Sequence, residues 1–123
     1  MMPTTIAVRP FVPGGPDFEA ARRFYTALGF TQDFVSDAND IAGFSCEGGS
    51  FLLQNAVFPG WNDNFMMSLA VADLDAWWTH IESLKLADAF DVGAPRPPAM
   101  QPWGLRVAYV FAPGGPLWHI VQA

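Results

Sequence analysis

The stretch Gln101-Pro-Trp-Gly-Leu-Arg-Val-Ala-Tyr-Val-Phe-Ala-Pro-Gly-Gly-Pro-Leu-Trp-His-Ile-Val-Gln122 decides the fold. Two alternating runs, Leu105 to Phe111 and Leu117 to Gln122, flank the turn Pro113-Gly114-Gly115-Pro116. Alternation interrupted by glycine and proline predicts a strand hairpin. At a period of two, Leu117, His119 and Val121 share one face of the second strand, and Trp118 and Ile120 share the other. His119 is one of only two histidines, sits mid-strand and points away from the Trp118 face. That makes it the first candidate for a site residue.

The rest of the chain repeats one order of elements. Ile6 to Val12 alternates, and Pro10 within it suits a strand edge or end. Pro13-Gly14-Gly15-Pro16 breaks that strand, and Asp17 fits a helix N-cap with Glu19 in the first turn. Phe18, Ala21, Phe24, Tyr25 and Leu28 recur at helical spacing, and Gly29 supplies the stop. Strand-like runs follow at Gln32 to Ser36, Ile41 to Cys46 and Ser50 to Ala56, with turns at 37–40 and 47–49. After a connector containing Pro59-Gly60, the order recurs. Phe65 to Val71 reads as a strand, and Asp73 caps a helix through Trp77, Trp78, Ile81 and Leu84. Ala89 to Val92 reads as a weak strand, Gly93 to Pro102 as a proline-rich loop, and the hairpin closes the chain.

The expectation is an α+β fold made of two βαβββ modules, about residues 5–57 and 64–122, in a single domain spanning 1–123. Each mostly antiparallel sheet would have one face under a helix and one open to a concave cleft. Parity assigns Phe51, Leu53, Leu69, Val71, Val110, Trp118 and Ile120 to the helix side. It assigns Arg9, Phe11, Leu52 and Gln54, with Met66, Ser68, Tyr109 and His119, to the cleft side.

Composition narrows the function. A chain of 123 residues, 51% hydrophobic and 15% aromatic, is long enough to bury a core and is not disordered. Twelve acidic against six basic residues give −6, which argues against nucleic acid. No apolar run approaches the ~20 residues that span a bilayer, so no membrane contact is expected. Met1-Met2-Pro3-Thr4 resembles no export signal, and the cytoplasm is the expected location. Cys46 is alone, which excludes an internal disulfide and a cysteine metal cluster. It reads as a core residue, His80 as a surface residue, and the acidic balance chiefly as a solubility feature.

Three stretches together resemble the vicinal oxygen chelate superfamily, which includes glyoxalases, bleomycin-resistance proteins and extradiol dioxygenases. Asp17-Phe18-Glu19-Ala20-Ala21-Arg22-Arg23-Phe24-Tyr25-Thr26-Ala27-Leu28-Gly29-Phe30 resembles its first-helix signature. Val71-Ala72-Asp73-Leu74-Asp75-Ala76-Trp77 resembles its second-helix start, and Trp103-Gly104 through Ala112-Pro113-Gly114-Gly115 its closing hairpin. Pro10-Phe11-Val12-Pro13 and Gln101-Pro102-Trp103-Gly104 look most like the bleomycin-resistance branch. The resemblance implies concave mixed sheets and a ligand cleft at a homodimer interface. For the enzymes of the superfamily it also implies a divalent metal on the first, fourth, fifth and eighth strands.

Those four positions correspond here to Arg9, Gln54, Met66 and His119. A catalytic divalent site takes about three His or carboxylate ligands, and of these four only His119 qualifies. The expectation is therefore no metal and no cofactor. Trp61 and Trp103, in loops beside the cleft, offer stacking surfaces, or else staple the dimer or the hairpin. His119 reads as a polar anchor or as a histidine satisfied within its strand. The leading expectation is a homodimeric protein that binds a small ligand, cationic or aromatic, without chemistry. Its candidate contacts are Arg9, Phe11, Gln54, Trp61, Met66, Trp103, Tyr109 and His119. The alternative is a metal-dependent lyase, isomerase or dioxygenase of the same superfamily.

Overall fold

A computed structural model describes residues 1–123. Eight strands form two four-stranded sheets: β1 (Phe11–Pro13), β2 (Thr31–Val35), β3 (Ile41–Cys46) and β4 (Gly49–Gln54) in the first, and β5 (Met66–Val71), β6 (Arg96–Met100), β7 (Arg106–Phe111) and β8 (Leu117–Gln122) in the second. The strand order is β1-β4-β3-β2 and β5-β8-β7-β6, so the second module repeats the topology of the first. In each, the pair at one edge is parallel, β1 with β4 and β5 with β8, and the remaining pairs are antiparallel. Helix α1 (Phe18–Leu28) follows β1, and α2 (Leu74–Leu84) follows β5.

Both long helices begin as their sequences predict. Asp17 accepts a hydrogen bond from the Ala20 N–H at 3.0 Å and Asp73 from the Ala76 N–H at 3.0 Å, each meeting a donor the first turn leaves free. Gly29 ends α1 at φ 128°, a conformation in which a side chain is strained. The apolar stripe of α1 buries Phe18, Ala21, Phe24, Tyr25 and Leu28 in one cluster shared by both sheets. Tyr25 stands at its centre, with its ring centroid 4.9 Å from that of Phe51 on one sheet and 5.7 Å from that of Trp118 on the other. The Trp118 indole N–H donates to the Tyr25 hydroxyl at 3.1 Å. Burial pushes the Tyr25 pKa well above the usual phenol value, against the smaller opposing pull of that hydrogen bond.

Three expectations are corrected. Residues 86–90, Leu-Ala-Asp-Ala-Phe, form a third helix, α3 (Leu86–Phe90), where a weak strand over 89–92 was expected. Leu86 and Phe90 are four apart and turn one face to the core, where Phe90 meets Phe24 edge-on at 5.5 Å. The sixth strand lies instead inside the supposed proline-rich loop, at Arg96–Met100. It is an outer edge, and its register shifts between Arg96 and Ala99, where Pro97 and Pro98 lack the N–H a ladder requires. The first strand pairs only over Phe11–Pro13, because the alternating residues before Pro10 meet no neighbouring strand.

One polar side chain ties the modules together. Asn62 is 8% exposed, accepts from the Phe58 N–H at 2.8 Å and donates to the Gly114 carbonyl at 2.7 Å. The Pro13–Pro16 and Pro113–Pro116 turns pack directly on each other, and a β-carbon at Gly114 would lie 3.0 Å from the Pro13 and Gly15 carbonyls. Asn62 therefore ties the connector before β5 to the turn before β8, and that turn packs on the one after β1.

Candidate functional site

Each sheet turns one face to the shared core and leaves the other open. On the first sheet, the register aligns Phe11 with Leu52, Leu52 with Gly43 and Gly43 with Phe34. These residues make one row across all four strands. Its two ends are open to solvent, Phe11 at 49% and Phe34 at 43% exposed. Gly43 is the reason Phe34 can lie against the sheet. A methyl group there would overlap the Phe34 ring, so only a glycine leaves the hollow the ring occupies. Arg9 and Asp33 border a hollow of about 130 Å³ beside Phe34, Gly43 and Leu52.

The second sheet presents a different row. Ser68 aligns with His119, His119 with Tyr109 and Tyr109 with Arg96. The Tyr109 and His119 rings meet edge-on at 4.8 Å. His119 Nε2 is sealed from solvent and hydrogen-bonded to nothing. Its side chain is therefore not a histidine satisfied within the strand, and an unpaired buried polar atom calls for an explanation. The guanidinium of Arg96 lies 5.8 Å from the Phe111 ring centroid, within cation–π range.

The remaining expected residues fall on or near these faces. Gln54 ends β4 half-buried, and Met66 begins β5 at 56% exposed. Arg9 is exposed in the arm before β1. Trp61 is packed edge-on between Phe58 and Phe65, at 5.0 Å from each, which braces the connector. Trp103 has no aromatic partner and is 57% exposed in the turn before β7. Cys46 is half-buried rather than core, and lines a small cavity of about 110 Å³ between the sheets with Met67, Leu69 and Trp118. His80 is a surface residue, but one whose Nε2 lies 2.9 Å from the Leu28 carbonyl, joining α2 to the end of α1. Phe34, Gly43 and Arg96 were not anticipated as site residues.

A sequence model of the glyoxalase/bleomycin resistance protein/dioxygenase superfamily matches residues 12–120. The chain belongs to this superfamily. A search of curated proteins finds no match. Among solved structures, the chain resembles a bleomycin-binding protein complexed with bleomycin, with a TM-score of 0.76 at 23% identity, covering 97% of this chain and 99% of that one. It also resembles TnmS3, an antibiotic-binding protein from Streptomyces sp. CB03234, with a TM-score of 0.72 at 23% identity over 99% and 98% of the two chains. A lactoylglutathione lyase from Agrobacterium tumefaciens has the same fold, with a TM-score of 0.69 at 17% identity over 98% and 96%. At such identities the likenesses establish the fold.

The superfamily's enzymes lead one to expect a divalent metal, and the residues present do not fit one. No three His, Cys, Asp or Glu side chains converge anywhere in the chain. The strand positions that would supply ligands carry Arg9, Gln54, Met66 and His119, a cation, an amide, a thioether and a single imidazole. No helix is long and apolar enough to cross a membrane.

Proposed function

We propose that this chain is a small-molecule binding protein that acts as a homodimer and holds an aromatic ligand on the open faces of its two sheets, without chemistry. The observation that carries the reading is the Phe11–Leu52–Gly43–Phe34 row, where an aromatic ring seated over a glycine is left uncovered. A flat ligand stacked there gains apolar contact of about 0.5–1.5 kcal/mol per aromatic pair beyond area burial. The donor set argues against metal chemistry, and the antibiotic-binding proteins of the same fold supply a precedent for binding alone.

Two features support a dimer. Residues 1–10 carry no regular structure, and Ile6 and Val8 within them are 89% and 92% exposed. An alternating apolar segment of this kind is a strand lacking a neighbour, which a second copy supplies. The hollow on the open face of the first sheet, about 130 Å³, is also smaller than the roughly 300–1,000 Å³ of an ordinary ligand pocket. A second copy lying over it would build the missing wall.

Sedimentation velocity and titration calorimetry test this together. The full chain is expected to sediment as a dimer, and a chain lacking residues 1–9 to dimerise more weakly. Calorimetry with bleomycin and a panel of flat aromatic compounds is expected to give saturable heat with at least one. A monomer at tens of micromolar that binds none of them would overturn the proposal.

A further inference from the structure

We infer that the ligand of this site is an aromatic anion, recognised by Arg96 and Arg9, even though the protein as a whole is acidic. The inference rests on the binding reading above and adds the charge of the ligand. Its basis is the way the chain segregates its charges. Of twelve Asp and Glu residues, Asp33 alone lies on a strand, and its Oδ1 already accepts a hydrogen bond from the Ser45 hydroxyl at 2.9 Å. Every other carboxylate sits on a helix, in a turn or in the connector. The second sheet has no carboxylate on any of its four strands.

Of the six cations, Arg22, Arg23 and Lys85 belong to the helices, and Arg9, Arg96 and Arg106 lie on or beside strands. Arg106 is committed to Asp75 at 2.6 Å and Arg23 to Glu19 at 3.5 Å. Arg96 and Arg9 form no ion pair, and each borders an open face. Arg96 is two strands from His119 across Tyr109, about 10 Å between α-carbons at ordinary strand spacing. That span suits one end of a bicyclic aromatic ring system. A cationic ligand would meet an unpaired guanidinium at both sheets, against the single carboxylate of Asp33 on the first and none on the strands of the second. An anion meets a planar fork of donors suited to carboxylate, sulfonate or phosphonate oxygens. The acidic remainder of the surface does not oppose this at close range, because charges beyond about 10 Å are largely screened at ordinary salt.

Three probes that share one ring separate the possibilities: 2-naphthoate, 2-naphthamide and 2-naphthylmethylammonium, each titrated by calorimetry into the full-length protein at low and high salt. Naphthoate is expected to bind tightest and the ammonium weakest, with about a tenfold gap or more between them. Added salt should weaken naphthoate and leave the amide unchanged. Arg96→Gln should lower naphthoate affinity about tenfold while sparing the amide, and Arg9→Gln is the second variant should Arg96→Gln melt early. Ammonium binding as tightly as naphthoate, or Arg96→Gln and Arg9→Gln both leaving naphthoate unaffected, overturns the anion inference while the binding reading stands. No heat with any of the three, nor with bleomycin and the wider aromatic panel, overturns the binding reading itself.

Discussion

Replacing Asn62 by alanine tests how the two modules are held in register. The side chain is 8% exposed and makes two hydrogen bonds, from the Phe58 N–H at 2.8 Å and to the Gly114 carbonyl at 2.7 Å. Asn62→Ala leaves both backbone groups without their partner in a space too tight for a well-placed water. A β-carbon on Gly115 would already overlap the Asn62 carbonyl. Each unsatisfied buried group costs about 1–3 kcal/mol, but the turns can shift a few tenths of an ångström, so a total of about 2–3 kcal/mol is expected. For a chain of 123 residues that corresponds to a fall in melting temperature of about 10 °C. Asn62→Asp keeps the acceptor, removes the donor and sets a carboxylate against the Gly114 carbonyl, so it should be at least as damaging. Asn55→Ala is the control, because its hydrogen bond to the Asn39 carbonyl is exposed. Urea denaturation followed by near-ultraviolet circular dichroism reads the effect. An Asn62→Ala variant within about 0.5 kcal/mol of wild type, the range of an ordinary surface substitution, would refute the reasoning. The packed turns would then hold the modules without it.

Further predictions concern the core, the open face and the ion pair. Trp118→Phe removes the only side-chain partner of the buried Tyr25 hydroxyl and leaves a cavity, so unfolding should be easier by about 2–4 kcal/mol. A double-mutant cycle with Tyr25→Phe should recover about 1 kcal/mol of that as coupling. Phe34→Ala should weaken a flat aromatic ligand about three- to tenfold with the far-ultraviolet spectrum unchanged, and Gly43→Ala should act in the same direction by lifting the ring. The Arg106 guanidinium holds the Asp75 carboxyl below its usual pKa, through its hydrogen bond first and its charge second. A carboxylate depressed in the folded state stabilises above its unfolded value of about 4 and ceases to do so as pH falls through the folded value. The melting temperature of wild type should thus exceed that of Asp75→Asn near neutral pH and converge with it in acid. Melts with Mn, Co, Ni or Zn against chelator should coincide, since no donor set of three is assembled.

Much of this molecule is legible in its sequence, for local reasons. The caps at Asp17 and Asp73, the stop at Gly29 and the strands Ile41–Cys46 and Leu117–Gln122 each depend on a few adjacent residues whose chemistry admits one reading. The alternation of β4 and β8 places Leu52 and His119 correctly on the open faces. The failures lie where a long-range partner decides. Residues 86–90 are too few for helical periodicity to register, and the burial of Leu86 with the Phe90 contact to Phe24 fixes them. The Arg96 strand was hidden by two prolines that an outer edge tolerates, so Arg96 was missed as well. Phe34 escaped because its register shifts between Gln32 and Phe34, which breaks the parity that would have aligned it with Gly43. The signal that could have found it was Gly43 itself, a glycine inside a strand, which marks a close approach.

The most direct test of the account is a titration of nitrogen-15-labelled protein with 2-naphthoate, following backbone amides by two-dimensional NMR. Shifts are expected to concentrate at Phe34, Gly43 and Leu52 on the first sheet and at Arg96, Tyr109 and His119 on the second. Shifts confined to the hollow of about 570 Å³ that lies between Phe90–Gly93 and Phe111–Gly115, with Phe34, Gly43, Leu52, Tyr109 and His119 silent, would contradict it.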